Sequence, residues 1–163
     1  MSLELKIKQD DSDIVSLTSE YTRIVYLNTW NINSNEAILL KNKIVVLLWK
    51  IFKEITDSFL AWNIDKEKVL QFVWAVSNLI WAGLINVKTD IFNQLFKQNK
   101  HLINDENKSK IIEDYLNIEI DKRLKNARIE IDSIVDIFRE KCIEILLEKS
   151  EKTSNMLKMS HHR

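Results

Sequence analysis

The 163-residue sequence contains no proline, a single glycine (Gly83) and a single cysteine (Cys142). Hairpin turns of types I′, II and II′ need residues with positive φ, a conformation that glycine adopts most readily. The absence of proline and the presence of only one glycine therefore nearly exclude a hairpin-rich β fold and favour long helices. One cysteine cannot form an internal disulfide, and one glycine cannot build a glycine-rich phosphate loop.

An excess of charge of either sign is also missing, because 24 basic residues balance 24 acidic residues. Nucleic-acid-binding domains usually carry a basic excess, so this balance disfavours nucleic acid as a partner. The opening residues MSLELKIKQDDSD lack the apolar run of a signal peptide. Together with the single cysteine, this leads us to expect an intracellular, cytoplasmic protein.

Apolar residues recur at spacings of three and four through most of the chain, which is the pattern of helices with one buried face. We predict an all-α helical bundle of four to five helices, formed by a single domain over about residues 1–152 and followed by a flexible tail at about 153–163. The predicted helices cover about residues 12–30, 35–62, 66–101 and 105–152. The predicted N-terminal caps are Asp11 or Ser12, the Asn33–Glu36 pair, Asp65, and Asn104 or Asp105.

The most apolar stretch runs from Val69 to Val87 and contains no charged residue. Its length could just cross a bilayer, but four amide and hydroxyl side chains interrupt it and the companion helices are heavily charged. We therefore expect residues 66–101 to form a buried central helix of the bundle. The helix either continues through Gly83 or divides into two near Thr89, and the small residue at position 83 would let another helix approach closely.

The last predicted helix (about 105–152) carries an apolar seam whose spacing approaches the 3.5-residue repeat of a coiled coil. The seam residues are Ile120, Leu124, Ala127, Ile131, Ile134, Phe138, Cys142 and Ile145. This seam either folds back on the other helices or pairs with another chain. The second alternative predicts a homo-oligomer and makes these eight residues interface candidates.

All five tryptophans lie within residues 30–81. Trp49, Trp62, Trp74 and Trp81 are candidates for lining a groove that receives a partner helix or an apolar ligand, and burial in an ordinary core is the alternative. A buried helix wrapped by amphipathic ones, with Trp74 in the segment FVWAVSN, resembles the Bcl-2-like architecture. That segment lacks the Asn before the Trp and the Gly-Arg after it. The resemblance implies a groove-binding regulator.

Patterns that would support catalysis or metal binding are sparse. The chain has three histidines, of which His101 stands alone and His161 and His162 are adjacent near the C-terminus. Cys142 has no histidine within a few helical turns along the sequence. Two carboxylate groups remain, one before the first predicted helix and one on the last: Asp10, Asp11 and Asp13, and Glu140, Glu144 and Glu148. We interpret the first group as capping residues and the second as a solvated face, and we expect no metal, no cofactor and no enzymatic activity.

The segment DKRLKNAR is the densest basic run and supplies four candidate contacts to nucleic-acid phosphates, namely Lys122, Arg123, Lys125 and Arg128. However, Glu119 precedes Arg123 by four residues, and Asp121 precedes Lys125 by four. This order favours ion pairs along a helix surface.

The sequence therefore favours a non-enzymatic helical protein–protein interaction or assembly module that associates with itself through the long C-terminal helix. The expected partner is another protein or a second copy, rather than nucleic acid or a membrane. A groove-binding regulator is the first alternative. A small helical subunit of a nucleic-acid complex is the second.

Overall fold

The computed structural model describes the backbone of residues 3–28, 30–61 and 65–161, and the side chains of residues 10, 12–28, 30–61 and 65–148. These residues form four α-helices and one short 3₁₀ turn, and no strand occurs among them, so the predicted all-α bundle is confirmed. The elements in chain order are α1 (Leu3–Leu27), α2 (Asn35–Leu60), α3 (Lys66–Gln98), a 3₁₀ turn (Lys100–Leu102) and α4 (Glu106–His161).

Short polar side chains begin the last three helices. The Asp65 carboxylate accepts a hydrogen bond from the Lys68 backbone N–H at 2.8 Å, and the Asp105 carboxylate accepts one from the Lys108 N–H at 2.7 Å. Both caps were predicted. At α2 the cap is Ser34, whose hydroxyl accepts from the Ala37 N–H; the predicted Asn33–Glu36 box is wrong by one residue.

The beginning of α1 is the largest boundary error. The sequence predicted a cap at Asp11 or Ser12, but the helix begins at Leu3 and passes through this acidic segment. The Asp10 carboxylate lies buried in the bundle, where Lys50 Nζ of α2 lies 3.1 Å from it. The Asp10 carboxylate, which the sequence predicted as a capping group, therefore pairs with a lysine of another helix.

Residues 66–98 form one helix without a break, so the single-helix alternative is the correct one. Gly83 lies in its middle, where α1 crosses closely. A Cβ atom placed on Gly83 would lie 2.7 Å from Thr18 Cβ and 3.0 Å from the Val15 carbonyl oxygen. The Ser19 hydroxyl donates to the Gly83 carbonyl oxygen at 3.3 Å, which adds a polar contact between the two helices. The predicted close approach therefore occurs, and its partner is α1.

Around the bundle, α1 lies between α2 and α3, and α4 lies between the same two helices on the other side. Each neighbouring pair shares an ion pair among the described residues. These are Asp10–Lys50 (3.1 Å) for α1–α2, Arg23–Asp90 (3.0 Å) for α1–α3, Lys41–Glu130 (2.5 Å) for α2–α4, and Lys88–Asp121 (2.5 Å) for α3–α4. The register of these contacts makes α3 parallel to α1, and α4 parallel to α2.

The enclosed central helix predicted at residues 66–101 is only partly realised. One face of α3 is buried against α1 and α4, but the opposite face is exposed, including Trp74 and Ile85. The reason is that α2 lies diagonally across the bundle and leaves that face uncovered. Among the described helices, α3 alone has the length and composition of a membrane span, and the buried core helix of a bundle meets the same criterion.

At 56 residues, α4 is much longer than its neighbours. Arg123 lies beside Tyr26, near the end of α1, so the first turns of α4 extend past α1. At the other end, α4 continues to His161 instead of ending near residue 152. No proline or glycine follows residue 152 to stop the helix.

We predict that Gly83→Ala destabilises the fold by about 1–2 kcal/mol. Alanine gains about 1 kcal/mol of helix propensity, but crowding in a packed interface costs about 1–3 kcal/mol, and here it includes a backbone oxygen. The free energy of unfolding in urea, followed by circular dichroism, measures the change. Asn78→Ala on the exposed face of α3 is the control and should differ little from the wild type. A Gly83→Ala variant as stable as the wild type would contradict the close approach of α1 and α3.

Candidate functional site

An apolar groove runs between α2 and α4, with a volume of about 250 Å³. Its walls are Val45, Leu48, Trp49 and Phe52 of α2, and Ile134, Ile137, Phe138 and Lys141 of α4. Lys141 is the one charged residue among them. We call this cleft the α2/α4 groove; its lining is that of a site for apolar side chains rather than for a polar ligand.

Trp49 and Ile137 form the two solvent-exposed edges of the α2/α4 groove, with 45% and 51% of their surfaces exposed. The Trp49 ring meets the Phe52 ring edge-on, with 5.2 Å between the ring centroids. This packing holds the indole beside the cleft while leaving much of its surface accessible. Large side chains that remain exposed beside an apolar cleft are typical of binding surfaces.

The α2/α4 groove exists because α2 and α4 pack less closely than the other neighbouring pairs. The Lys41–Glu130 ion pair joins the two helices one turn before Val45. Beyond this pair, the helices are separated by the large side chains of Trp49, Phe52 and Phe138. A shallow channel open to solvent follows from this spacing.

The remaining predicted groove residues do not join Trp49. Trp74 and Trp81 lie on α3, where the Arg139 guanidinium is 4.4 Å from the Trp74 ring centroid and the Arg128 guanidinium is 6.0 Å from the Trp81 ring centroid. These distances are those of cation–π contacts, which fasten α3 to α4. Trp62 lies outside the described residues. The tryptophans therefore serve two separate roles, and Trp49 alone of the predicted four is described in the groove.

Trp30 and Arg123 form another contact of this kind at the end of α1. The Arg123 guanidinium lies 4.6 Å from the Trp30 ring centroid and donates a hydrogen bond to the Tyr26 hydroxyl at 3.1 Å. Trp30 has a φ of 63°. This left-handed backbone conformation is energetically unfavourable for residues other than glycine. The stacked guanidinium stabilises the turn in this conformation.

These contacts change the interpretation of the basic run at residues 121–128. Arg123 and Arg128 contact aromatic rings, while Lys122 and Lys125 are exposed. Asp121 pairs with Lys88 of α3 instead of with Lys125 along its own helix. Only two of the four predicted phosphate contacts are thus presented to solvent without an aromatic partner.

The apolar seam of α4 lies inside the fold of a single chain. Seven of its eight residues are buried, and Ile145 is half-buried against the core. They face the other helices of the bundle, so the first of the two alternatives for the seam is the one seen. The seam interface candidates, Ile131 included, are therefore core residues of this structure.

A different apolar stripe, which the sequence reading missed, lies on the outer face of α4. Ile111, Tyr115 and Ile118 are each between 62% and 66% exposed and follow one another at spacings of four and three. They lie in the first turns of α4, beyond the end of α1, on the face opposite the buried seam. We call these three residues the outer stripe. The same three–four spacing that located the seam would have located them.

Groups that supply catalysis are poorly placed in the described part of the chain. Burial raises the pKa of the Cys142 thiol to about 12, so it is not a thiolate at neutral pH. His101 is exposed in the 3₁₀ turn, and the His161 and His162 side chains lie outside the described residues. No group of three potential metal ligands occurs among the described side chains.

Comparison of the chain with protein-family models, with curated proteins and with solved structures finds no match.

Besides Cys142, the core contains a second side chain whose pKa is raised by burial, Tyr21. The Tyr21 hydroxyl has no hydrogen-bond partner among the described residues, and burial, with a smaller contribution from the negative charge of Glu130, raises the pKa of this phenol to about 12. The folded state therefore favours the protonated forms of Tyr21 and Cys142. This preference for the protonated groups contributes fully to the free energy of unfolding below about pH 9. The contribution is lost as the pH rises toward 12.

We predict that Tyr21→Phe keeps or raises stability at neutral pH, by up to about 1 kcal/mol, because it removes a buried hydroxyl without a partner. The loss of stability between pH 10 and 12 should also be smaller than in the wild type. Urea unfolding at a series of pH values measures both effects. Tyr115→Phe, at an exposed tyrosine of α4, is the control. A large destabilisation by Tyr21→Phe at pH 7 would show that the hydroxyl has a partner after all.

Proposed function

We propose that this protein is a non-enzymatic helical interaction module that receives an amphipathic helix of a protein partner in the α2/α4 groove. The observation that carries the proposal is the exposure of Trp49 and Ile137 on the two edges of an apolar cleft. Such a cleft suits the apolar face of a helix, whose side chains at spacings of three, four and seven enter as a row.

The charge around the α2/α4 groove narrows the chemistry of the partner. Between Lys41 and Lys53, α2 carries four lysines and no carboxylate. Of these, Lys41 pairs with Glu130 of α4, and Lys43 and Lys50 lie on the side of α2 that faces α1, so that Lys53 is the exposed lysine beside Trp49. A partner helix with an acidic residue beside its apolar face could therefore pair with Lys53, and complementary charge contributes chiefly to specificity and to the association rate.

The other two functions receive less support. Assembly through the buried seam would require the bundle to open, since seven of its residues are in the core. Nucleic-acid binding through residues 122–128 would have to compete with the arginine–tryptophan contacts. The groove needs no such rearrangement.

The test uses a fluorescently labelled synthetic helix with leucine on one face and glutamate on the other. We expect the full-length protein to bind it, and Ile137→Asp to weaken binding at least about tenfold, because a carboxylate beside the bound leucines would be desolvated. Fluorescence anisotropy gives the dissociation constants.

Two controls accompany this measurement. Ile85→Asp alters an isoleucine that is 54% exposed on α3, away from the groove, and should bind the peptide like the wild type. A peptide with lysine in place of glutamate should bind more weakly. Equal binding by Ile137→Asp and Ile85→Asp would reject the groove as the docking site.

A further inference from the structure

Six large apolar side chains lie exposed along one line of α4, on the side that faces away from the other helices. They are the three residues of the outer stripe together with Ile129, Ile143 and Leu147, and each is at least 42% exposed. With 3.6 residues per turn, all six point within about 40° of a common direction. We call this row of six residues the α4 outer face. An apolar row of this length is typical of a surface that another protein covers.

The charged residues between these apolar ones are arranged by sign. Lys122 lies seven residues before Ile129, and Asp136 lies seven residues after it. Seven residues complete nearly two turns, so all three side chains point in about the same direction. Lys125 and Asp132 lie closer to the centre, four residues before and three residues after it. All four charged side chains are exposed, and none forms an ion pair among the described residues. The line is therefore basic before Ile129 and acidic after it.

We infer that the α4 outer face binds the same face of a second copy of this chain, with the two helices antiparallel and a two-fold axis at Ile129. In this arrangement, positions equally far from residue 129 on opposite sides of it meet. Lys122 of each copy then meets Asp136 of the other, and the pair occurs twice. A parallel arrangement would instead place lysine against lysine and aspartate against aspartate. The charges thus select both the partner and its direction.

The apolar residues at the two ends follow the same symmetry. Ile111 lies 18 residues before residue 129, and Leu147 lies 18 residues after it. Tyr115 and Ile143 lie 14 residues before and after it. Each of these apolar side chains therefore meets an apolar side chain of the other copy. The complementary pattern covers the helix from residue 111 to residue 147.

The remaining apolar position is Ile118, which meets Glu140 of the other copy. Glu140 is exposed and lies about one helical turn from Asp136. Its carboxylate is consequently also near Lys122 of the other copy, and it adds to the negative side of the same contact. Ile118 borders this charged part of the interface.

The inferred contact is long but narrow. The helix rises about 54 Å between residues 111 and 147, and its width is about 10 Å. A strip of this size on both copies is roughly 1,100 Å² in total, near the lower end of the range for stable protein interfaces. We therefore expect a dimer that dissociates on dilution. The long C-terminal helix would then mediate self-association, as the sequence led us to expect, but through the face opposite the buried seam.

This interface is separate from the α2/α4 groove and goes beyond the proposed function. Ile137, at the edge of the groove, points about 80° away from Ile129 around the axis of α4. The bundle need not open, because the whole α4 outer face is exposed in the single chain. A dimer of this kind would carry two grooves, one on each copy.

The first experiment measures the mass of the full-length protein by sedimentation over a range of concentrations. We expect the mass to double as the wild-type concentration rises. Ile129→Asp should weaken dimerisation at least about tenfold, because it places two carboxylates against each other at the two-fold axis. The control Ile85→Asp changes an equally exposed isoleucine of α3 and should dimerise like the wild type. A wild-type protein that is monomeric at every concentration would overturn the inference.

A charge exchange tests the antiparallel direction. Lys122→Glu and Asp136→Lys should each weaken dimerisation about five- to tenfold, since each turns two ion pairs into two repulsions. Mixing these two variants should restore association as a heterodimer, in which every position 122 meets an opposite charge at position 136. The double variant should dimerise like the wild type. Circular dichroism checks that the helices are retained. Failure of both the mixture and the double variant to recover would overturn the inference.

Peptide binding separates this inference from the proposed function. Ile129→Asp keeps the groove and should bind the leucine–glutamate helix like the wild type, whereas Ile137→Asp should lose the peptide but still dimerise. If the peptide binds and the protein stays monomeric, only the inference on the α4 outer face is wrong. If the protein dimerises and the peptide does not bind, only the groove is wrong.

Discussion

At Gly83 the backbone of α3 comes so close to α1 that a single methyl group would collide with Thr18 and with the Val15 carbonyl. This contact makes α3, and not only α2, a neighbour of α1. Because α3 occupies that position, α2 is placed diagonally across from it and packs against α4 instead. The α2–α4 pair is the less closely packed one, and the apolar cleft lies there.

The sequence predicted those features that depend on local chemistry. Asp65 and Asp105 cap their helices because a carboxylate next to free N–H groups needs no help from distant residues. The unbroken α3 could also be anticipated, since apolar residues kept their spacing on both sides of Gly83. The start of α1 could not, because Asp10 forms its ion pair with Lys50, forty residues away. Local reasoning treats such a carboxylate as a cap.

The candidate site shows the same division. The predicted groove tryptophans were chosen by residue type, and only Trp49 is described at a cleft. Whether a tryptophan lines this groove depends on which helices form its walls, and Trp74 and Trp81 lie on α3, where they contact Arg139 and Arg128 of α4. The buried seam was located correctly as a pattern, but its position inside the bundle depended on three other helices. The outer stripe is shorter than the buried seam on the same helix, so the seam dominates the periodicity of this segment.

Because α4 is one uninterrupted helix, it sets the distance between the surfaces that it carries. Tyr115 and Ile137 lie on the same uninterrupted helix, about 33 Å apart along its axis. Their separation and their relative direction around the axis are therefore fixed by the number of residues between them. Inserting one residue between these positions would rotate one surface against the other by about 100°, whereas inserting seven would nearly restore the original direction at a longer spacing. The relative direction of the two surfaces is therefore kept only by insertions or deletions that complete whole helical turns, such as about seven or eleven residues.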